Sequence, residues 1–280
     1  MNRRLKALTA IAFAGAMMLA TVGSTFAADK AMVRVLHASP DAPAVDVYVN
    51  GSKALSDVPF KGLSDYVALD AGTYKLEVKV AGSDTVVIGT DATVEAGMKY
   101  TVAAIGKVAD IKLAVFVDDG AIEAGKTKLR VIHLSPDAPA VDVALKGQAP
   151  ADALVKNLSY PDATGYLVVA PGTYDLEVRL AGTETVALDL SGTAVDGDTN
   201  YTVFAVGLAA ADAPADQKLT VVVGVDATAS DTMSPPTTST VGSSVAGGSA
   251  VPVVALFMGL LAAGGVLLAL NRRFATSRNR

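Results

Sequence analysis

This 280-residue chain has only two histidines, His37 and His133. They sit at the same place in a repeated segment, V-R-V-L-H-A-S-P-D-A-P-A-V-D-V at 33–47 and L-R-V-I-H-L-S-P-D-A-P-A-V-D-V at 129–143. An imidazole beside a carboxylate can bind a polar ligand or a metal ion. Asp41 and Asp46 follow His37, and Asp137 and Asp142 follow His133. These six residues are the candidate ligand-binding groups. The competing reading is a structural histidine whose ring nitrogens hydrogen-bond the Ser-Pro-Asp loop behind it. One histidine per copy is too few for a histidine-rich metal site. Ser39–Pro43 and Ser135–Pro139 are expected to be rigid loops, because each Pro fixes φ while Ser and Asp bond nearby backbone amides. Such a loop suits either a turn or a binding element.

Other constellations are weaker. Arg34, Arg130, Asp46 and Asp142 alternate out of the apolar face. They predict a cross-strand ion pair in each copy, worth about 0.2–1 kcal/mol if exposed. Asp196-Gly-Asp198-Thr-Asn200 opens like a calcium loop, but Tyr201 stands where Gly is needed and Gly207 where Glu is needed, so a polar hairpin turn is expected. No G-x-S-x-G, H-E-x-x-H or P-loop pattern occurs. Cysteine is absent, which excludes disulfides, thiolate metal sites and cysteine nucleophiles. The expectation is a protein that is not an enzyme and has no cofactor.

The elements that must position these residues come as a duplication. A-G-T-Y-K-L-E-V-K-V-A-G-S-D-T-V (71–86) matches P-G-T-Y-D-L-E-V-R-L-A-G-T-E-T-V (171–186), and Y-T-V-A-A-I-G (100–106) matches Y-T-V-F-A-V-G (201–207). Val45, Val47 and Val49 alternate with Asp46, Tyr48 and Asn50, the period-2 pattern of a half-buried strand. By the same parity His37, with Val33 and Val35, points to the core side. Asn50-Gly51 predicts a two-residue hairpin turn and Pro171-Gly172 a type II turn. Seven or eight short strands per copy, without a helical stripe, predict an all-β fold of two tandem antiparallel β-sandwich domains, Ig-like or transthyretin-like.

The run V-R-V-L-H-A-S-P-D-A-P-A-V-D-V-Y-V-N-G, with A-G-T-Y and Y-T-V-A-A-I-G after it, resembles the bacterial "domain of unknown function 4397" family over about 29–225. The resemblance implies export and tandem domains. It transfers no catalytic residue, because the family has no accepted set. In the second copy Val155–Gly165 is longer than its counterpart, so loop-borne function is expected to differ between copies.

Charge and hydropathy place the domains. Seven of the 23 basic residues are terminal and all 28 acids lie between Asp29 and Asp231, so the middle carries −12 and should repel nucleic acid. Residues 1–27 read as a signal peptide, with Arg3, Arg4 and Lys6, an apolar run and Thr25-Phe26-Ala27 before the cut. Residues 251–270 hold no charge and are long enough to cross a bilayer as a helix. Asn271, Arg272 and Arg273 follow and predict a cytoplasmic C-terminus. The expected domains are 28–123, 126–226, a Ser/Thr/Gly/Pro-rich stalk at 227–250, the transmembrane helix at 251–270 and a basic tail at 271–280. The function expected is a non-catalytic membrane-anchored cell-surface module with structural, adhesive or interaction roles. The alternative is an extracellular module binding carbohydrate, peptide or cation near His37 and His133. The membrane is the one partner named; an extracellular protein or carbohydrate stays open.

Overall fold

Strands with one apolar face must cover it, and the turn residues between these strands let the chain fold back to do so. The computed structural model describes residues 29–232. The first repeat contains β1 (Ala31–His37), β2 (Val45–Val49), β3 (Ser52–Val58), β4 (Val67–Leu69), β5 (Gly72–Val80), β6 (Val86–Val94), β7 (Lys99–Ile105) and β8 (Lys112–Asp118). The second repeats the pattern as β9 (Thr127–His133), β10 (Val141–Leu145), β11 (Val155–Leu158), β12 (Leu167–Val169), β13 (Gly172–Leu180), β14 (Val186–Val195), β15 (Thr199–Val206) and β16 (Thr220–Thr228).

Each repeat is a sandwich of two four-stranded sheets. In the first, β4-β1-β7-β8 faces β3-β2-β5-β6; in the second, β12-β9-β15-β16 faces β11-β10-β13-β14. The all-β, two-sandwich expectation holds. The antiparallel expectation needs correction, because β1 pairs with β7 in parallel and β9 with β15 likewise. Alternation reports which face a residue occupies and is blind to strand direction.

Three apolar clusters order the layers. Val45, Val78 and Ile88 pack with Ala104 inside the first sandwich, and Val131 packs with Val141, Val143 and Val178 inside the second. The third cluster lies between the repeats: Leu36, Ala103 and Ile105 meet Ile132, Leu134, Phe204 and Val206. The sheets carrying β1 and β9 are therefore inner layers, covered on both faces along their central strands while the edge strands β8 and β16 leave Val115, Val117, Val223 and Val225 exposed, and the other two are outer layers. This explains the nearly continuous burial of β7 and β15.

Turn chemistry follows the sequence in part. Asn50 and Gly51 have φ of 49° and 80°, as a primed hairpin turn requires between β2 and β3. Gly172 has φ of 156°, away from the value near +80° of a type II turn, because Pro171-Gly172 carries the chain from an inner to an outer sheet. Asp196–Asp198 likewise joins β14 to β15 across sheets and is not a hairpin. Strand β16 runs through Thr228 and a helical turn follows at Ala229–Thr232, so ordered structure continues past the stalk boundary expected at 227. No helix among the described residues is long and apolar enough to cross a membrane; the leader at 1–27 and the span at 251–270 lie outside those residues.

Candidate functional site

The histidine loops are built alike. His37 ends β1 and His133 ends β9, and both side chains are buried. The His37 ring places Nε2 3.1 Å from the Pro43 carbonyl, while Nδ1 lies 3.3 Å from the Ser39 amide and accepts its hydrogen bond. His133 repeats the pattern, with Nε2 3.2 Å from the Pro139 carbonyl and the Ser135 amide 3.3 Å from Nδ1. With Nδ1 accepting, Nε2 carries the proton and donates. Burial pushes both imidazoles below their ordinary pKa, against the opposing pull of the proline carbonyls. Both rings are neutral clamps that pin the Ser-Pro-Asp-Ala-Pro loop to its own strand.

The four carboxylates point elsewhere. Asp41 accepts a hydrogen bond from the Val108 amide at 2.8 Å, tying the loop to the β7–β8 turn. Asp137 accepts from the Ala209 and Ala210 amides at 2.8 and 3.2 Å. Asp46, on the outer sheet, takes Lys53 Nζ at 2.6 Å and the Asp57 and Gly82 amides at 2.9 and 3.4 Å; the Lys53 hydrogen bond holds its carboxyl below the usual range. Asp142 accepts from the Asn157 and Gly182 amides at 2.7 and 2.8 Å. The structure therefore does not bring His37, Asp41 and Asp46 together, nor His133, Asp137 and Asp142. Among the described residues no group of three or more His, Cys, Asp or Glu side chains could hold a metal ion. An apolar cavity of about 20 Å³ lies beside His133, Val178 and Leu188, with room for about one water.

The expected pairing of Arg34 with Asp46 is also corrected. Both residues point away from their own sandwich core, but they lie in different sheets and so point in opposite directions. Arg34 enters the interface between the repeats. There its Nη2 donates to Asp226, its Nη1 to the Val225 carbonyl at 3.0 Å, and its Nε to Thr101 at 2.8 Å. Arg130 does the reverse, donating to Asp118, to the Val117 carbonyl at 2.7 Å and to Thr202 at 3.1 Å. Each arginine thus bonds the last strand of the other repeat.

Tyrosines complete this cluster. The Tyr66 hydroxyl donates to Asp118 at 2.7 Å and that of Tyr166 to Asp226 at 2.6 Å. Thr101 and Thr202 donate to the same two carboxylates at 2.6 Å. The guanidinium carbons of Arg34 and Arg130 each stand 4.7 Å from the ring centroid of Tyr66 and Tyr166 respectively. Burial raises both tyrosine pKa values, so the phenols remain donors. Burial also raises Asp226, opposed by Arg34, Thr202 and Tyr166. Every charge here has a partner, the condition under which buried ion pairs are tolerated. The sequence signal was available: R-V at 34–35 and 130–131, and V-D at 117–118 and 225–226, both recur in the duplication.

Beside this cluster an open groove of about 570 Å³ runs along Met98, Lys99, Val117, Asp119, Gly120 and Tyr166. Lys99 crosses between the repeats to the Asp226 carbonyl at 2.7 Å. Its counterpart Asn200 holds the linker through the Asp119 and Ala121 carbonyls at 3.0 and 2.9 Å. None of the aromatic rings in the described residues is exposed.

No curated protein matches the chain. Among solved structures, the chain is similar to a family CBM26 carbohydrate-binding module from Eubacterium rectale Amy13K, crystallised with maltoheptaose, at 10% identity and a TM-score of 0.22 over 69% of this chain and 96% of that one. A family model described as "Domain of unknown function (DUF4397)" matches residues 31–144 and 148–234, most of the sequence and both repeats. The chain belongs to that family, as a tandem pair of its domains.

Proposed function

We propose that the chain is a non-catalytic, membrane-anchored cell-surface protein that presents its joined repeats for structural, adhesive or interaction roles. The observation that carries this reading is how the repeated polar residues are used. His37 and His133 bind the backbone of their own loops, the four aspartates near them accept from backbone amides of neighbouring turns and strands, and Arg34, Arg130, Asp118 and Asp226 join the repeats. These side chains support a rigid scaffold in preference to a reaction centre. The anchoring rests on the sequence: an uncharged span at 251–270 with arginines behind it, and a leader at 1–27.

Protease added to intact cells should digest residues 29–232, alkaline carbonate should leave the protein in the membrane fraction, and the purified full chain should be inactive in a broad hydrolase panel. Protection from protease, extraction by carbonate or turnover in the panel would each defeat the corresponding part. A second reading, an extracellular ligand-binding module, is favoured by the open groove at Lys99 and Tyr166. Glycan arrays and calorimetry on the detergent-solubilised chain test it, with loss of binding in Lys99→Ala expected.

A further inference from the structure

The interface between the repeats departs from symmetry at several positions, and at two of them a phenylalanine on one side stands for a small residue on the other. Ala103 of β7 corresponds to Phe204 of β15, and Phe116 of β8 corresponds to Gly224 of β16. Each inner face therefore carries one phenylalanine and one small residue, in opposite order. All but Gly224 belong to the shared core between the repeats.

The arginines link the two exchanges. The Arg34 guanidinium carbon stands 5.6 Å from the Phe204 ring centroid. It is accommodated over Gly224, where an added β-carbon would fall 2.5 Å from Nη1. On the other side, where Arg130 reaches Asp118 and the Val117 carbonyl, the corresponding positions hold Ala103 and Phe116. Two first-repeat faces brought together would set Phe116 where Arg34 requires glycine. Two second-repeat faces would carry two Phe204 rings and no Phe116. Close-packed interiors tolerate neither overpacking nor voids well.

We propose that the inner faces are a matched unlike pair: the interaction surface of each repeat is shaped to accept the other repeat of the chain and to reject a copy of itself. The ion pairs and the hydrogen bonds from Arg34 and Arg130 occur on both sides, so they hold the repeats together without distinguishing them. The phenylalanine-for-small-residue exchange lies in the four residues 103, 116, 204 and 224.

The test uses the full chain in detergent, with two half-exchanged variants and the complete exchange. Ala103→Phe/Phe116→Gly gives the first repeat the second's residues, and Phe204→Ala/Gly224→Phe does the converse. Each half-exchange should lower the thermal midpoint by about 6 °C or more. The four-residue exchange should regain at least half of the summed loss, because the pair is again unlike. A fourfold variant whose loss equals the sum of the two halves would overturn the proposal. If neither half-exchange yields folded protein, recovery of a folded, monomeric fourfold variant supports it, and failure of that variant to fold overturns it.

Discussion

Arg34 and Asp226 stand 192 residues apart in the chain, yet their side chains, 2% and 0% exposed, form a buried ion pair. Arg130 and Asp118, only 12 residues apart, form its counterpart. The two pairs cross the interface in opposite senses, so each arginine takes its shortest ion pair from the other repeat, with Asp118 of its own repeat 3.7 Å from Arg34. A buried arginine without its carboxylate would leave an uncompensated charge in a low-dielectric layer.

Replacing Arg34 with Leu should therefore lower unfolding stability by about 3–5 kcal/mol in urea titration, because Asp226 stays buried with only Tyr166 and Thr202 as donors. Lys30→Ala, which removes an exposed pair with Asp70, should change stability by no more than about 0.5 kcal/mol.

Acid should destabilise the fold through the histidines. Burial depresses the folded-state pKa of His37 and His133 below the ordinary imidazole value of about 6.5. As pH falls through 6.5 the unfolded chain takes up protons that the folded chain refuses, so stability drops until the pH passes below the folded values. The slope from each histidine is at most about 1.4 kcal/mol per pH unit. Chemical denaturation between pH 7.5 and 5 should show the loss, and His37→Asn/His133→Asn should flatten that segment of the curve.

The loop aspartates should contribute unequally. Asp41→Ala frees one amide, at Val108, and should cost about 1 kcal/mol. Asp137→Ala frees two, at Ala209 and Ala210, and should cost more. Equal losses in thermal unfolding would contradict this assignment.

A protease site placed in the linker between Ala121 and Lys126 should be cut without separating the repeats. The shared core and the crossed ion pairs should keep the halves together in gel filtration until denaturant is added. Elution as two separate fragments in native buffer would refute that expectation.

Much of this architecture was legible. The duplication, the strand parity and the Asn50-Gly51 turn follow from residue types and spacing, and parity put His37 on the core side. Parity also turned Arg34 and Arg130 away from their own cores, but it cannot say what covers the opposite face. There the second repeat takes the place of water, and an expected surface charge becomes a buried one. The parallel pairing of β1 with β7 was hidden for a related reason: five strands lie between the partners in the chain and no local pattern connects them.

That long-range pairing sets an order in time. A ribosome delivers Arg34 early, its strand neighbour β7 much later, and Asp226 only with β16, the last strand described. Until then the first repeat's inner face has no mate, and its apolar patch around Leu36 and Phe116 is open to wrong neighbours. The newborn chain must therefore hold this surface in reserve, and any nascent-chain guardian should be needed longest there.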